Sequence, residues 1–276
     1  MSRADEIFIA NIRDILENGT SDESLNVRPK WQDGTPAHTI KKFGIVNRYD
    51  LSEEFPIMTL RRVFLKTAVK ELLWIWQKKS NNIHDLDAHI WDSWADENGS
   101  IGKAYGYQLG VKHHYPEGDF DQVDRVLYDL KNNPASRRII TNLYNHHDLS
   151  EMALYPCAYS MTFNVSGNKL NAILNQRSQD MLAANGFNVC QYAVLVHMMA
   201  QVSGLVPGEF VHVIADAHIY DRHIPIVKEL IEKKTYPAPK FSLDKSVTNF
   251  YDFTADSFTL ENYEYNKEEV KFPVAI

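Results

Sequence analysis

The sequence predicts an α+β fold in one domain, a mixed β-sheet packed with helices. Three observations predict it. Apolar residues recur at three- to four-residue spacing in some stretches and at period two in others, so both kinds of element are present. The 276 residues are 44% hydrophobic and 12% aromatic, which supplies one sizeable core. No repeat, low-complexity run or linker breaks the chain, so the expected domain is 1–276 as a whole.

Phe8, Ile12, Ile15 and Leu16 predict a first helix over Ile7 to Glu17, with Gly19 as its stop. Asn26 to His38 is polar and turn-rich, and an extended stretch follows to Tyr49. Val63, Val69, Leu72, Leu73 and Trp76 predict a largely buried helix from about Arg62 to Lys78. Glu71 sits among those apolar residues. His84 to Gly110 is aromatic without strong periodicity. Val123, Val126, Leu127 and Leu130 mark a further helix, closed near Pro134.

Tyr159, Met161, Phe163 and Val165 alternate with polar residues, as do Leu170, Ala172 and Leu174 beyond Ser166-Gly167-Asn168. That pattern is a hairpin. Phe187 to Ser203 reads as a hydrophobic helix stopped at Gly204, and Glu209 to Asp216 as a buried strand. Pro225 suits the first turn of a last helix, running to Lys234.

The net charge is -7, with 36 acidic against 29 basic residues. A general nucleic-acid binder usually carries a basic surplus, so that class is not expected. Met1 to Glu6 lacks the charged start and apolar core of a signal peptide. No run approaches the roughly 18 apolar residues of a membrane span. The two cysteines, Cys157 and Cys190, form no zinc-spaced cluster, so neither a metal site nor a disulfide framework is expected. The expected compartment is the cytoplasm.

Chemistry concentrates between Leu154 and Asn188. Cys157 follows Pro156, which stiffens the backbone before the thiol. Gln176-Arg177-Ser178-Gln179-Asp180 then places a cation, a hydroxyl and a carboxylate close together, and Asn188 offers an amide at a helix start. A nucleophile, an anion site and an amide that reads a heterocycle fit a covalent nucleotide-modifying enzyme. Taken singly, each has an ordinary reading: a small buried thiol, a strand-end ion pair, a helix cap.

Together, Pro156-Cys157, Gln176 to Asp180, Phe187-Asn188 and Asp216-Ala217-His218-Ile219-Tyr220 resemble the folate-dependent thymidylate synthases. Arg137-Arg138, Glu71 to Trp74, Ile90 to Trp94 and the final Pro273-Val274-Ala275-Ile276 extend the resemblance over nearly the whole chain. The resemblance implies a homodimer formed through the sheet. It implies dUMP as substrate and 5,10-methylenetetrahydrofolate as carbon donor and reductant, with no metal, nicotinamide or flavin.

It also implies roles. Cys157 would add to uracil C6, and the Arg177 guanidinium would favour its thiolate. Arg28, Arg177 and Ser178 would bind the 5′-phosphate, with Arg137 and Arg138 reaching the partner's nucleotide. On pattern alone that pair reads as a solvated basic turn. Asn188 would pair with N3–H and O4 of uracil, which depends on neighbours that hold its amide one way round. His218 and Tyr220 would hold the 3′-hydroxyl; read alone they are equally hydrogen-bonded core residues.

Glu71 would relay protons with a raised pKa, or else be a buried partner of an arginine. Tyr105 would position water for removal of the C5 proton. Asp180 would accept from the pterin, Trp91 and Trp94 would wall the folate, Arg61 would meet its tail, and Ala275 and Ile276 would close the site. Ala158 stands where many relatives carry His. A 5-hydroxymethylase on the same scaffold and an inactive nucleotide- or RNA-binding relative are the alternatives.

Overall fold

The first helix, α1 (Arg3–Asn18), buries Ile7, Phe8, Ile12 and Ile15 as its spacing requires, and Ser2 caps it by accepting from the Asp5 N–H. Asp5 is itself fully buried. Its carboxylate accepts from Ser2 Oγ, from the Thr59 N–H and hydroxyl, and from the Leu60 N–H, fixing the segment that leads to the second helix. Gly19 ends α1 by close approach: a Cβ there would lie 2.3 Å from the Ile15 carbonyl oxygen. The structure, a computed structural model, describes residues 1–276.

Two strands follow, β1 (Thr20–Ser21) and β2 (Thr39–Asp50). The helix α2 (Leu65–Trp76) begins three residues later than the apolar pattern suggests. The Val63 N–H goes to the Tyr263 hydroxyl, and Arg62 lies over the rings of Phe64 and Tyr265. These contacts keep the segment before Leu65 extended. The aromatic stretch to Gly110 holds two 3-10 turns and the short α3 (Gly106–Gly110). A small hairpin, β3 (His113–Tyr115) with β4 (Gly118–Phe120), precedes α4 (Gln122–Asn132) and β5 (Ile140–Asn142).

The expected hairpin is β6 (Ala158–Ser166) with β7 (Lys169–Asp180). Gly167 takes φ +64° in the two-residue turn, as a type II′ turn requires of its first residue. α5 (Asn185–Val202) is buried almost all round and ends before Gly204. It crosses over to β8 (Val206–Tyr220), which pairs parallel with β7; every other pairing in the sheet is antiparallel.

The sheet order is β1-β2-β8-β7-β6-β5. β8 runs on to Tyr220, beyond the strand read from sequence, because Ala217 to Tyr220 also pair with β2. α6 (Ile224–Leu230) starts at Pro225's neighbour but stops before Lys234 in a tightened turn. The short pair β9 (Lys240–Leu243) and β10 (Phe258–Glu261) completes the chain.

One apolar cluster of 60 buried residues joins α1, α2, α5 and the inner sheet face. At 25–30 cal/mol per Å² this burial is the main favourable term in folding. The other sheet face leaves Phe43, Val46 and Ile173 exposed. No helix is long and apolar enough to cross a membrane.

Candidate active site

The parallel pairing of β7 with β8 sets Ser178 beside Asp216 and Asp180 beside His218, so two separate motifs meet at one sheet end. β6 brings Cys157 to the same place: the Arg177 N–H donates to the Cys157 carbonyl at 2.9 Å. The Arg177 guanidinium turns back over the thiol. Nε donates to the Pro156 carbonyl at 3.0 Å, Nη2 to the Tyr155 carbonyl at 2.6 Å, and Nη2 lies 3.7 Å from Cys157 Sγ. Pro156 holds those carbonyls where the guanidinium can bridge them.

Cys157 is half-buried and unpaired by any disulfide. Burial pushes its thiol up; Arg177, Tyr105 and Arg28 pull it back without offsetting the rise. The expected cation is therefore in place, but in the free chain desolvation outweighs it. Cys190, by contrast, is fully buried, donates to the Phe187 carbonyl, and is an ordinary core thiol.

Tyr105 aims its hydroxyl at the nucleophile's backbone, accepting from the Cys157 N–H at 3.1 Å. Its own φ is +43°, a strained value for a non-glycine residue. Its ring packs edge-on against Trp91.

Glu71 is 8% exposed, and its partners are an indole and an amide rather than an arginine. Trp91 Nε1 and Gln191 Nε2 each donate to it at 2.5 Å. Burial raises its pKa against the pull of both hydrogen bonds. Trp91 is thus tied to the Glu71 carboxyl as well as to an apolar wall, where it meets Trp94 at 5.6 Å.

Asp180 Oδ1 accepts from the Leu182 and Ala183 N–H groups, each at 2.9 Å, and its other oxygen has no partner. Burial works to raise the carboxyl, but His223 and the Ala183 N–H leave it below its ordinary value. Asn188, on the first turn of α5, presents Oδ1 to Gln176 Nε2 and Gln179 Nε2, both at 3.3 Å. Its Nδ2 has no partner in the chain.

His218 Nδ1 meets Asp216 Oδ1 at 2.9 Å, which leaves Nε2 available. Burial pushes the neighbouring Tyr220 phenol up to about 12. Ser178 keeps its hydroxyl unpaired.

Arg3, Arg13, Arg48, Arg125 and Arg222 each pair with a carboxylate. Arg28, Arg137, Arg138 and Arg177 pair with none, although the chain is acidic overall. Arg137 and Arg138 are exposed on the segment before β5, and the β5–β6 register, Ile140 opposite Thr162, sets them toward the end of β6 away from Cys157 within one chain. Arg61 points inward: Nη2 donates to the Leu182 carbonyl at 2.6 Å, and the guanidinium lies 5.6 Å from the Phe272 ring centre.

The C-terminal tail is docked. Ile276 and Lys30 exchange backbone hydrogen bonds at 2.8 and 3.0 Å, two residues from Arg28. Pattern reading missed the clamp behind this contact. Trp31 Nε1 donates to Asp221 at 3.0 Å, Arg222 Nη2 to Asp33 at 2.7 Å, and His223 Nε2 faces the Pro273 carbonyl at 2.8 Å. Three consecutive residues thus hold the Arg28 loop and the tail. Their only sequence signal is adjacency to His218 and Tyr220.

The thymidylate synthase family model matches residues 6–276. Thymidylate synthase 1 of Bacillus subtilis (strain 168) is 47% identical over 281 aligned positions, covering all of both chains. The thymidylate synthase of Bacillus phage phi3T matches at the same identity and coverage. The solved structure of thermostable thymidylate synthase A from Bacillus subtilis superposes with a TM-score of 0.94, covering 99% of each chain. Family model, identity and fold agree over the full length: the chain belongs to the thymidylate synthase family, enzymes of the methyltransferase class.

Proposed function

We propose that the chain converts dUMP to dTMP by reductive methylation, and that each active site of a homodimer draws on both subunits. The observation that carries this reading is the 3.7 Å approach of the Arg177 guanidinium to Cys157 Sγ, with Arg28, which also has no carboxylate partner, acting on the same thiol. A dianionic phosphate calls for such free guanidinium groups. Arg28, Arg177 and Ser178 bind it from one chain, and Arg137 and Arg138 reach it from the other. The exposed apolar sheet face bearing Phe43, Val46 and Ile173 is the proposed dimer contact.

The Cys157 thiolate adds to C6, and the electron pair moves through C5 onto O4 as an enolate. Arg177 supports the thiolate before addition. Asn188 Nδ2 donates to O4, where the charge develops. His218 and Tyr220 hold the 3′-hydroxyl. Tyr105 positions the water that takes the C5 proton, and Glu71, with its raised pKa, passes protons to and from the ring.

The family uses 5,10-methylenetetrahydrofolate, which when bound supplies the one-carbon unit and the hydride. The residues present fit it. Asp180 keeps an ionised oxygen free for a pterin N–H, Trp91 and Trp94 give flat apolar walls, and Arg61 with Phe272 supports the tail on that side. Ala275 and Ile276 close the site and exclude water.

The test is the mass of the product from dUMP and 5,10-methylenetetrahydrofolate. A methyl group in place of the C5 hydrogen is expected, with dihydrofolate formed in equal amount. A hydroxymethyl product without dihydrofolate, or no product, would overturn the reading.

A further inference from the structure

We propose that Gln179 is a specificity-determining positioning residue: with Gln176 it locks the Asn188 amide so that its N–H, and not its carbonyl, faces the pyrimidine C4 substituent. The proposal rests on the reading of Asn188 as the residue that meets the base.

An asparagine amide is close to symmetric in shape, so packing alone does not choose which end faces a ligand. Here the backbone chooses. Gln179 Nε2 lies 3.2 Å from the Asp180 carbonyl, and Gln176 Nε2 lies 3.1 Å from the Ser178 carbonyl. A carbonyl oxygen only accepts, so both glutamines must present NH₂ at those positions. The same two nitrogens lie 3.3 Å from the Asn188 side chain, which must therefore offer Oδ1. His212 Nε2 lies 2.8 Å from Gln176 Oε1, the other end of that amide. Burial lowers the His212 pKa to about 3, so the ring is neutral, and the orientation that the Ser178 carbonyl sets for Gln176 makes Nε2 the donor to Oε1.

Turning the Asn188 amide over would set its NH₂ against two other N–H groups in a buried place. With the lock closed, Nδ2 is the end of the amide that faces the C4 substituent. A C4 carbonyl accepts from it, whereas a C4 amino group would meet it donor to donor. The lock thus selects a 4-oxo over a 4-amino pyrimidine.

Gln179 has a cost that points the same way. It is fully buried, and its Oε1 has no hydrogen-bond partner. An unpaired buried acceptor destabilises the fold. Methionine would fill the same space without that acceptor, so the part of Gln179 that has a use is its N–H.

The experiment measures dissociation constants of dUMP and dCMP, by competition, for the wild-type protein and for Gln179→Met, Gln179→Leu, Gln176→Met/Gln179→Met and Asn188→Ala. For Gln179→Met the dCMP-to-dUMP ratio should fall about tenfold, because one of two locking hydrogen bonds is lost. The double variant should fall further, and the Tm of Gln179→Met should hold or rise. An unchanged ratio in a folded Gln179→Met or Gln179→Leu protein, or equal weakening of both nucleotides, would overturn the lock. If Asn188→Ala lowers the ratio in that case, only the lock fails. If Asn188→Ala leaves it unchanged, the base is not read by Asn188 at all.

Discussion

Removing the Arg177 charge tests how the nucleophile is activated. At 3.7 Å the guanidinium–thiolate attraction is at most about 4.5 kcal/mol for an effective dielectric of about 20. Cys157 is half-buried and Arg28 still acts on it, so the realised effect is smaller than that ceiling. The sign is fixed, since a cation stabilises the thiolate and its removal raises the thiol pKa. Arg177→Ala also strips the Tyr155 and Pro156 carbonyls of a donor, so Arg177→Lys is the companion that keeps a charge but not the bridge. The assay is the rate of Cys157 alkylation by iodoacetamide against pH, in a Cys190→Ala background. The Arg177→Ala midpoint should rise, slowing reaction at neutral pH by about tenfold or more, with Arg177→Lys between. A midpoint that does not move would refute the electrostatic reasoning.

Inactive Cys157→Ala and Arg138→Ala chains should regain activity when mixed under conditions of proven subunit exchange, because a heterodimer holds one intact site; no recovery would exclude the shared site. Asn188→Asp should change the ratio of kcat/KM values for dUMP and dCMP by about 10² or more in favour of dCMP, since the donor to O4 is lost; an unchanged ratio would make Asn188 a helix-start residue only. Asp5→Ala should destabilise the fold by about 3–5 kcal/mol, read from denaturant midpoints, because the buried Thr59 and Leu60 N–H groups and two hydroxyls lose their acceptor; a loss under 1 kcal/mol would mean those donors find other partners.

The local elements were legible where one force dominates. The period-two runs around Gly167 and the predominantly apolar α5 formed as their patterns require. Boundaries moved where tertiary contacts took over backbone groups: Tyr263 and Asp5 hold the approach to α2 extended, and pairing with β2 draws β8 out to Tyr220. The parallel β7–β8 pairing carries no local signal, yet it joins the Arg177 and His218 motifs. For the site, Cys157, Arg177 and Asn188 stood out by type and order. Their positioning partners did not: Gln191 under Glu71, Gln179 beside Asn188, and the Asp221 to His223 clamp act through contacts between segments far apart in sequence.

Covalent catalysis by Cys157 is the claim on which the rest depends. Its most direct test is turnover of dUMP by rigorously purified Cys157→Ala, with dUMP binding measured on the same sample. Turnover should fall by a factor on the order of 10⁴ or more, while the dUMP dissociation constant stays within a few-fold of wild type. Near-normal turnover in that variant would contradict the covalent mechanism.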